Sequence, residues 1–564
     1  MVMDAEDGGW HRLLVPDVGA GALYKFELPT GSACPDPASR FQPGDVHGPS
    51  EVIDPSSHAW TDMNWRGRPW EECVWYELHV GAFTEEGTFR AAVSRLDDLA
   101  ELGITAIGLM PIGDFSGDRN WGYDGVLPFA PDSSYGRPDD LKALIDAAHA
   151  RGLMVFLDVV YNHFGPDGNY HSLYAPIFTE KHETPWGPAI NFDAAGSEFV
   201  REYVIQNAIH WIEEFHFDGL RLDAVHAMPD ESTPHVLREL AFRVRAAAPG
   251  RHVHLVLENE ENSASRLRRD AANHPTQYTA QWNDDIHHVL HAAASGENAA
   301  YYGEYAGNTE YLGRALAEGF AFQGQMMEFR GRERGEPSDE LPPTAFVSFI
   351  QNHDQIGNRA FGDRLTAFSS MAAVRAVSAV YLLAPQIPML FMGEEWAASQ
   401  PFPFFCDFPE ELGEKVREGR IKEFKHFPQF QDPAVLAKIP DPTSRETFLS
   451  AKLRWEDRKQ GEHAEQWEWH RRALAVRRAE IAPRLAGMAG HAGHFEIIDE
   501  LAVAVHWKLG DDSTLTLIAN LKDKACPAPQ PPRGRLLWVE GGVNQGMLAP
   551  WSVYWTLDDN AHAD

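Results

Sequence analysis

Arg221 and Asp223 stand two residues apart in the stretch Phe215–Ala227, FHFDGLRLDAVHA. The run Gly219-Leu220-Arg221-Leu222 reads as a short buried strand that delivers Asp223 to its C-terminal end. Side chains alternate along a strand, so the two charged groups face the same way. A carboxylate beside a guanidinium stays ionised near neutral pH, as a carboxylate nucleophile must. A structural ion pair closing a strand would look the same. Three further stretches separate the two readings. FLDVVYNH (Phe156–His163) supplies Asp158, Asn162 and His163, HLVLENEEN (His254–Asn262) supplies Glu258, and FIQNHDQIGNR (Phe349–Arg359) supplies His353 and Asp354.

Paired carboxylates are what glycoside hydrolysis needs, one as nucleophile and one as general acid. Asp, Glu and His also ligate divalent metals, which is the competing chemistry. An arginine and abundant aromatic rings suit hydroxyl bonding and ring stacking better, so neither metal nor cofactor is expected. NWGYDG (Asn120–Gly125) offers Trp121 and Tyr123 as sugar platforms, with packing in the core as the alternative.

These residues need a frame that brings distant strand ends together. Apolar strand-like runs recur at Val74–Val80, Ile104–Met110, Leu153–Val159, Gly219–Asp223, His254–Glu258, Tyr278–Trp282, Ala345–Ile350 and Ile387–Met392. Helical patterns such as Arg90–Leu102, Pro138–Arg151, Ser197–Phe215 and Pro234–Ala248 lie between them, with His463–Arg484 expected as the eighth helix. Eight such units imply an α/β fold, a (β/α)8 barrel with its chemistry at the strand C-termini. Trp10–Glu27 reads as two short strands around a Gly-rich turn, and Pro29–Pro69 as an extended connector. After Gly487 only strand patterns follow: Phe495–Ile498, Leu501–Leu509, Thr514–Asn520 and Leu536–Val539. The expected division is therefore a partial β-unit at 1–55, the barrel at 56–486 and a small antiparallel β-domain at 487–564.

The chain has 564 residues, 44% hydrophobic and 11% aromatic with 17 Trp, and a net charge of −34. That charge argues against nucleic-acid or anionic-membrane partners. Its four cysteines (Cys34, Cys73, Cys406, Cys526) lack metal or disulfide spacing. No signal segment opens the chain and no apolar run spans a membrane, Ala379–Met392 being interrupted by Pro385 and Pro388. A reducing cytoplasm is the expected compartment.

DVVYNH, GLRLDAVH, the acid after the fifth strand, and NHDQ resemble the four motifs of the α-amylase superfamily, in that superfamily's order. More narrowly, YELHVGAFTEEGTF (Tyr76–Phe89), NWGYDGVLPFAPDSSYGRPDDL (Asn120–Leu141), QWNDDIHH (Gln281–His288), QNHDQIGNRAFGDRL (Gln351–Leu365), GEEWAASQPFPFF (Gly393–Phe405) and EGRIKEF (Glu418–Phe424) resemble malto-oligosyltrehalose trehalohydrolases. The resemblance implies Asp223 as nucleophile, Glu258 as acid/base and Asp354 as transition-state stabiliser. It implies a sugar subsite shaped by Asp158, His163, Arg221 and His353, with Tyr123 stacking beneath. Further substrate contacts map to His226, to Asn283, Asp284, Asp285 and His287, and to Gln355 and Asn358, the last group reading the trehalose end. The implied reaction is retaining hydrolysis of the α-1,4 bond beside a terminal α,α-1,1-linked unit, which releases trehalose. A malto-oligosyltrehalose synthase is implied as the source of the substrate.

Two features depart from the family pattern. Leu257 stands where a small residue is common, and Glu260 and Glu261 follow Glu258 as rival acids. The family's N-terminal β-sandwich is expected here only in part. Rival functions are another amylase-type enzyme, such as a glycogen branching enzyme, or a non-catalytic carbohydrate-binding barrel.

Overall fold

Eight short parallel strands close into a barrel in the computed structural model, which describes residues 1–425, 430 and 432–559. They are β1 (Trp75–Leu78), β2 (Ala106–Leu109), β3 (Met154–Val159), β4 (Gly219–Leu222), β5 (His254–Leu257), β6 (Ala280–Trp282), β7 (Phe346–Ser348) and β8 (Ile387–Phe391). Each lies within one of the eight apolar runs. Every residue in these strands is buried, which is why the runs are nearly continuous rather than alternating. The lower barrel is filled by Trp75, Met154, Phe156, Val256, Trp282, Phe349 and Met389. Gly108 admits the Trp75 indole, because a Cβ there would lie 2.1 Å from its Nε1.

The surrounding helices bury their inner faces against the strands. Two of the expected helices differ in form. Arg90–Leu102 is two helices, Phe89–Val93 and Leu96–Leu102, the first capped by Thr88 and the second closed by Gly103 at φ 109°. Helix Gly461–Val476 runs into a π-turn at Arg477–Ile481. There the buried Arg477 guanidinium donates to the carbonyls of Leu382, Ala384 and Gln386 ahead of β8.

At the C-terminal end, β9 (Gly493–Asp499), β10 (Ala502–Lys508), β11 (Thr514–Asn520), β12 (Arg535–Glu540) and β13 (Ser552–Asp558) form an antiparallel sheet in the order β9-β10-β11-β13-β12. The sequence reading lacked β13, which joins β11 to β12. Trp507 and Trp555 stack at 5.6 Å and donate to the carbonyls of Leu316 and Ala379, seating the sheet on the barrel helices. Residues 560–564 of the expected C-terminal unit lie outside the described residues.

The N-terminal segment holds three two-residue ladders: Asp4–Ala5 with His11–Arg12, Leu23–Tyr24 with Ser50–Glu51, and Phe26–Glu27 with Ala33–Cys34. The two strands expected within Trp10–Glu27 pair elsewhere instead of with each other. Gly21 donates to the Val52 carbonyl and Val52 to that of Ala22, so the chain closes onto the connector.

Candidate active site

Register decides which charges meet. Asp158 on β3 pairs with Arg221 on β4, and Arg221 pairs with Val256 on β5. Two residues further along, on the same face, come Asp223 and Glu258. Arg221, 0% exposed, donates from Nη1 to Asp158 Oδ2 (2.5 Å) and Asp223 Oδ1 (2.9 Å), and from Nη2 to Glu258 Oε2 (2.6 Å). Its guanidinium lies 4.2 Å from the centre of the Trp282 ring, so an aromatic face covers the side that no acid touches. Ala224 takes a left-handed conformation (φ 40°), and its amide donates to Glu258 Oε2 (2.9 Å). The turn after the strand thus helps to orient the second acid. Glu260 and Glu261 point elsewhere, paired with Arg330 and Arg332. Of the three acids, only Glu258 reaches Arg221.

One guanidinium facing three carboxylates leaves surplus negative charge in a buried place. Burial first, and the charge of Glu258 second, push Asp223 well above the usual carboxylate range, against the pull of Arg221. Burial likewise pushes Asp158 up to about 6, opposed by Arg221 and by the Tyr123 hydroxyl at 2.7 Å. An arginine partner alone predicted an ionised Asp223; desolvation and a second carboxylate outweigh it.

Asp354 enters from the loop after β7. Asn352 caps the short helix His353–Gly357 by accepting from the Gln355 amide (2.9 Å), which fixes where His353 and Asp354 begin to turn. His353 Nε2 lies 3.3 Å from Asp354 Oδ2, and Asn358 Nδ2 donates to Oδ1 (3.1 Å). Burial would raise Asp354, but His353 and Arg221 hold it below the ordinary carboxylate range. Tyr123 stacks on His353 with centroids 5.0 Å apart, and Trp121 meets the ring edge-on. His163 bonds Asn162, which reaches Asp223 Oδ2 at 3.3 Å, and stacks on Trp186 at 4.8 Å.

Three residues expected to touch substrate do not face the opening. Asp285 is wholly buried and accepts from Arg334, Tyr305, Asn262 and the amides of Ala321 and Phe322, so its lone pairs are spent inside the protein. Asn283, also buried, donates to the Gly319 carbonyl. Buried His287 places Nδ1 on the Ile350 carbonyl and Nε2 on the Tyr302 hydroxyl. Asp284 alone of that group is part-exposed, and it faces Glu258; burial and that charge push it up to about 8. Gln355, Asn358 and His226 line the rim, with His226 Nε2 3.8 Å from Glu260.

Sequence reasoning missed Glu77, which grips His353, and Trp282, which floors Arg221. Both lie in quoted runs, YELHVGAFTEEGTF and QWNDDIHH, but nothing local marks them as site residues. Trp186, 51% exposed at the tip of the hairpin Phe178–Thr184/Gly187–Ile190, carried no motif signal.

Against known proteins, residues 40–181 match the α-amylase catalytic domain and residues 490–555 match a domain of unknown function, DUF3459. A malto-oligosyltrehalose trehalohydrolase from Deinococcus radiodurans is 46% identical over 96% of this chain and 88% of its own length. The chain belongs to the malto-oligosyltrehalose trehalohydrolase family. Within that family, the relative from Saccharolobus solfataricus is 41% identical over 80% of this chain and 78% of its own. A crystal structure of a Salmonella typhimurium protein superimposes with a TM-score of 0.94 at 44% identity, covering 99% of this chain and 94% of that one. As a trehalohydrolase-family barrel, the fold presents an acid pair at the strand C-termini, where barrel enzymes carry their chemistry. No helix among the described residues is long and apolar enough to cross a membrane.

Proposed function

We propose that the chain is a retaining glycoside hydrolase that cleaves the α-1,4 bond next to the terminal trehalose unit of a malto-oligosyltrehalose. The observation that carries this reading is the single guanidinium of Arg221 binding both Asp223 and Glu258 at the barrel mouth. Asp223 attacks the anomeric carbon while protonated Glu258 gives its proton to the departing glycosidic oxygen, and free trehalose leaves. Water then attacks the glycosyl ester, passing a proton to Glu258 and returning Asp223 as a carboxylate. Asp354, kept anionic by His353, accepts hydroxyls of the distorted sugar, and Asp158, His163 and Tyr123 shape its pocket.

The trehalose end is supported by the name shared by the relatives. With Asn283, Asp285 and His287 turned inward, its recognition falls to Asp284, His226, Gln355 and Asn358. Groups made to bond trehalose hydroxyls are left unpaired by maltose, which penalises the wrong substrate more than a lost apolar contact would. The same reading divides the chain at 1–55, 56–486 and 487–564, places it in the cytoplasm and makes a malto-oligosyltrehalose synthase the supplier of substrate.

Product analysis with maltopentaosyl-trehalose, beside maltoheptaose as control, tests the proposal. Trehalose from the first and little cleavage of the second is the expected result. Equal cleavage makes it a general amylase-type enzyme. A changed iodine stain on a glucan without trehalose release makes it a branching enzyme, the activity named for a Corynebacterium jeikeium relative that is 28% identical over 70% of this chain.

A further inference from the structure

His353 is gripped from a strand on the other side of the chain's barrel closure. Glu77, on β1, sets Oε1 2.6 Å from the ring Nδ1 and accepts the His353 backbone amide on Oε2 at 3.0 Å. Both carboxylate oxygens are spent on one residue, and both residues are buried. On the far side of the ring, Nε2 lies 3.3 Å from Asp354 Oδ2. A neutral imidazole has one donor and one acceptor nitrogen, so it would turn a lone pair toward one of the two carboxylates. Only the imidazolium donates to Glu77 and also turns positive charge, rather than a lone pair, toward Asp354. The ring cannot swing away from this choice, because Tyr123 stacks on its face and Trp121 closes on it edge-on at 5.5 Å.

We propose that Glu77 is a positioning residue that fixes His353 as a doubly protonated imidazolium and, through it, holds Asp354 ionised and aimed at the bound sugar. The role rests on the hydrolase reading above. Glu77 itself touches no substrate in this scheme; it acts through the ring.

The charges around the ring favour the same state. Glu77 and His79 face it from β1, Asp158 from β3, and Asp354 from its own helix, while Arg221 on β4 acts on Asp354. His79, lowered by burial to about 4 and bonded to the Asn120 carbonyl, adds no positive charge near neutrality. Burial opposes the charged form of His353, but Asp354 and Glu77 together lift it well above the ordinary histidine range. Its positive charge is then the main influence that offsets the desolvation of Asp354.

The test uses the full chain labelled with 15N-histidine, with His353→Gln to assign the ring signals. In the wild type both nitrogens of His353 are expected to carry protons at pH 7.5. In Glu77→Gln the titration midpoint should fall by about one to three pH units, the range for losing one close opposite charge. The basic limb of kcat/KM for trehalose release should fall with it. Glu77→Asp, which keeps the charge on a shorter arm, should restore ring protonation while kcat stays depressed. A neutral His353 in the wild type at pH 7.5, or an unchanged midpoint in Glu77→Gln, overturns the proposal. If Glu77→Gln does not fold, the wild-type spectrum decides alone. Failure of the hydrolase reading shows separately, as a wild-type protein that releases no trehalose while its ring titration remains readable.

Discussion

Arg221 Nη2 donates to Glu258 Oε2 at 2.6 Å across neighbouring barrel strands, while the other terminal nitrogen of the same guanidinium serves Asp158 and Asp223. Three acids on three consecutive strands are thereby tied to one positive charge. The arrangement is more acidic than it is neutralised, and that surplus adds to burial in pushing Asp223 above the usual carboxylate range.

Removing the shared cation should cost both stability and activity. Arg221→Met leaves the buried Asp158 and Asp223 and the part-buried Glu258 without their cation, and breaking a buried ion pair costs about 3–5 kcal/mol. Denaturant unfolding should show a loss of that order, with no measurable trehalose release. Arg221→Lys should recover part of the stability and little of the activity, because an ammonium cannot offer the planar two-nitrogen fork.

The two acids should separate by chemistry. Glu258→Gln should lower kcat on natural substrate by about 10²–10⁴-fold, the usual contribution of general acid catalysis. It should retain much more of its rate on a glycoside whose leaving group needs no proton. Asp223→Asn should fail on both, and the wild type should release its glucan product first as the α-anomer, read by NMR. A crystal structure should show the two carboxyls about 5–5.5 Å apart, and a separation of about 7 Å or more would indicate inversion.

Asp284 should make stability depend on pH. Its folded pKa, pushed up to about 8 by burial first and by the charge of Glu258 second, exceeds the ordinary aspartate value of about 3.9 in the unfolded chain. Between about 4 and 8 the folded state holds a proton that the unfolded state releases, so this group's contribution falls as pH rises through that window. Compared with wild type, Asp284→Asn should gain stability steadily from about pH 4 to 8 and keep a constant difference above. Thermal melts in a pH series check the sign; a constant difference throughout would mean that Asp284 is ionised as freely in the folded chain as in the unfolded one.

Asp285 should behave as a structural keystone. Asp285→Ala strands Arg334 and two amides in the interior, for a loss of about 3–5 kcal/mol. Below the lowered melting temperature, the ratio of trehalose to other products should match wild type. An altered ratio would return Asp285 to the substrate-contacting set.

What local sequence determined was the frame. Each barrel strand is buried on both faces, so its apolar run is nearly continuous and visible without knowing its neighbours. The acids that follow those runs were equally visible, because a strand's alternation carries over to the residue two beyond. Which acid meets which base was not visible. Glu258 rather than Glu260 reaches Arg221 because β4 and β5 pair Leu222 with Leu257, setting Asp223 and Glu258 side by side.

QWNDDIHH shows the limit from the other side. Its density of donors and acceptors suggested a substrate-reading loop, yet a helix begins at Asp284. Successive side chains on a helix diverge by about 100°, so Asp284 looks toward Glu258 while Asp285 turns into the protein. The protonation of the site belongs to tertiary structure as well. Local sequence paired Asp223 with one arginine and made it ionised; folding added Asp158, Glu258 and desolvation to the same guanidinium, and pushed it the other way. Residue spacing can bring a charge to a strand end, but the dielectric around it and the number of charges sharing its partner are set only when distant strands close the barrel.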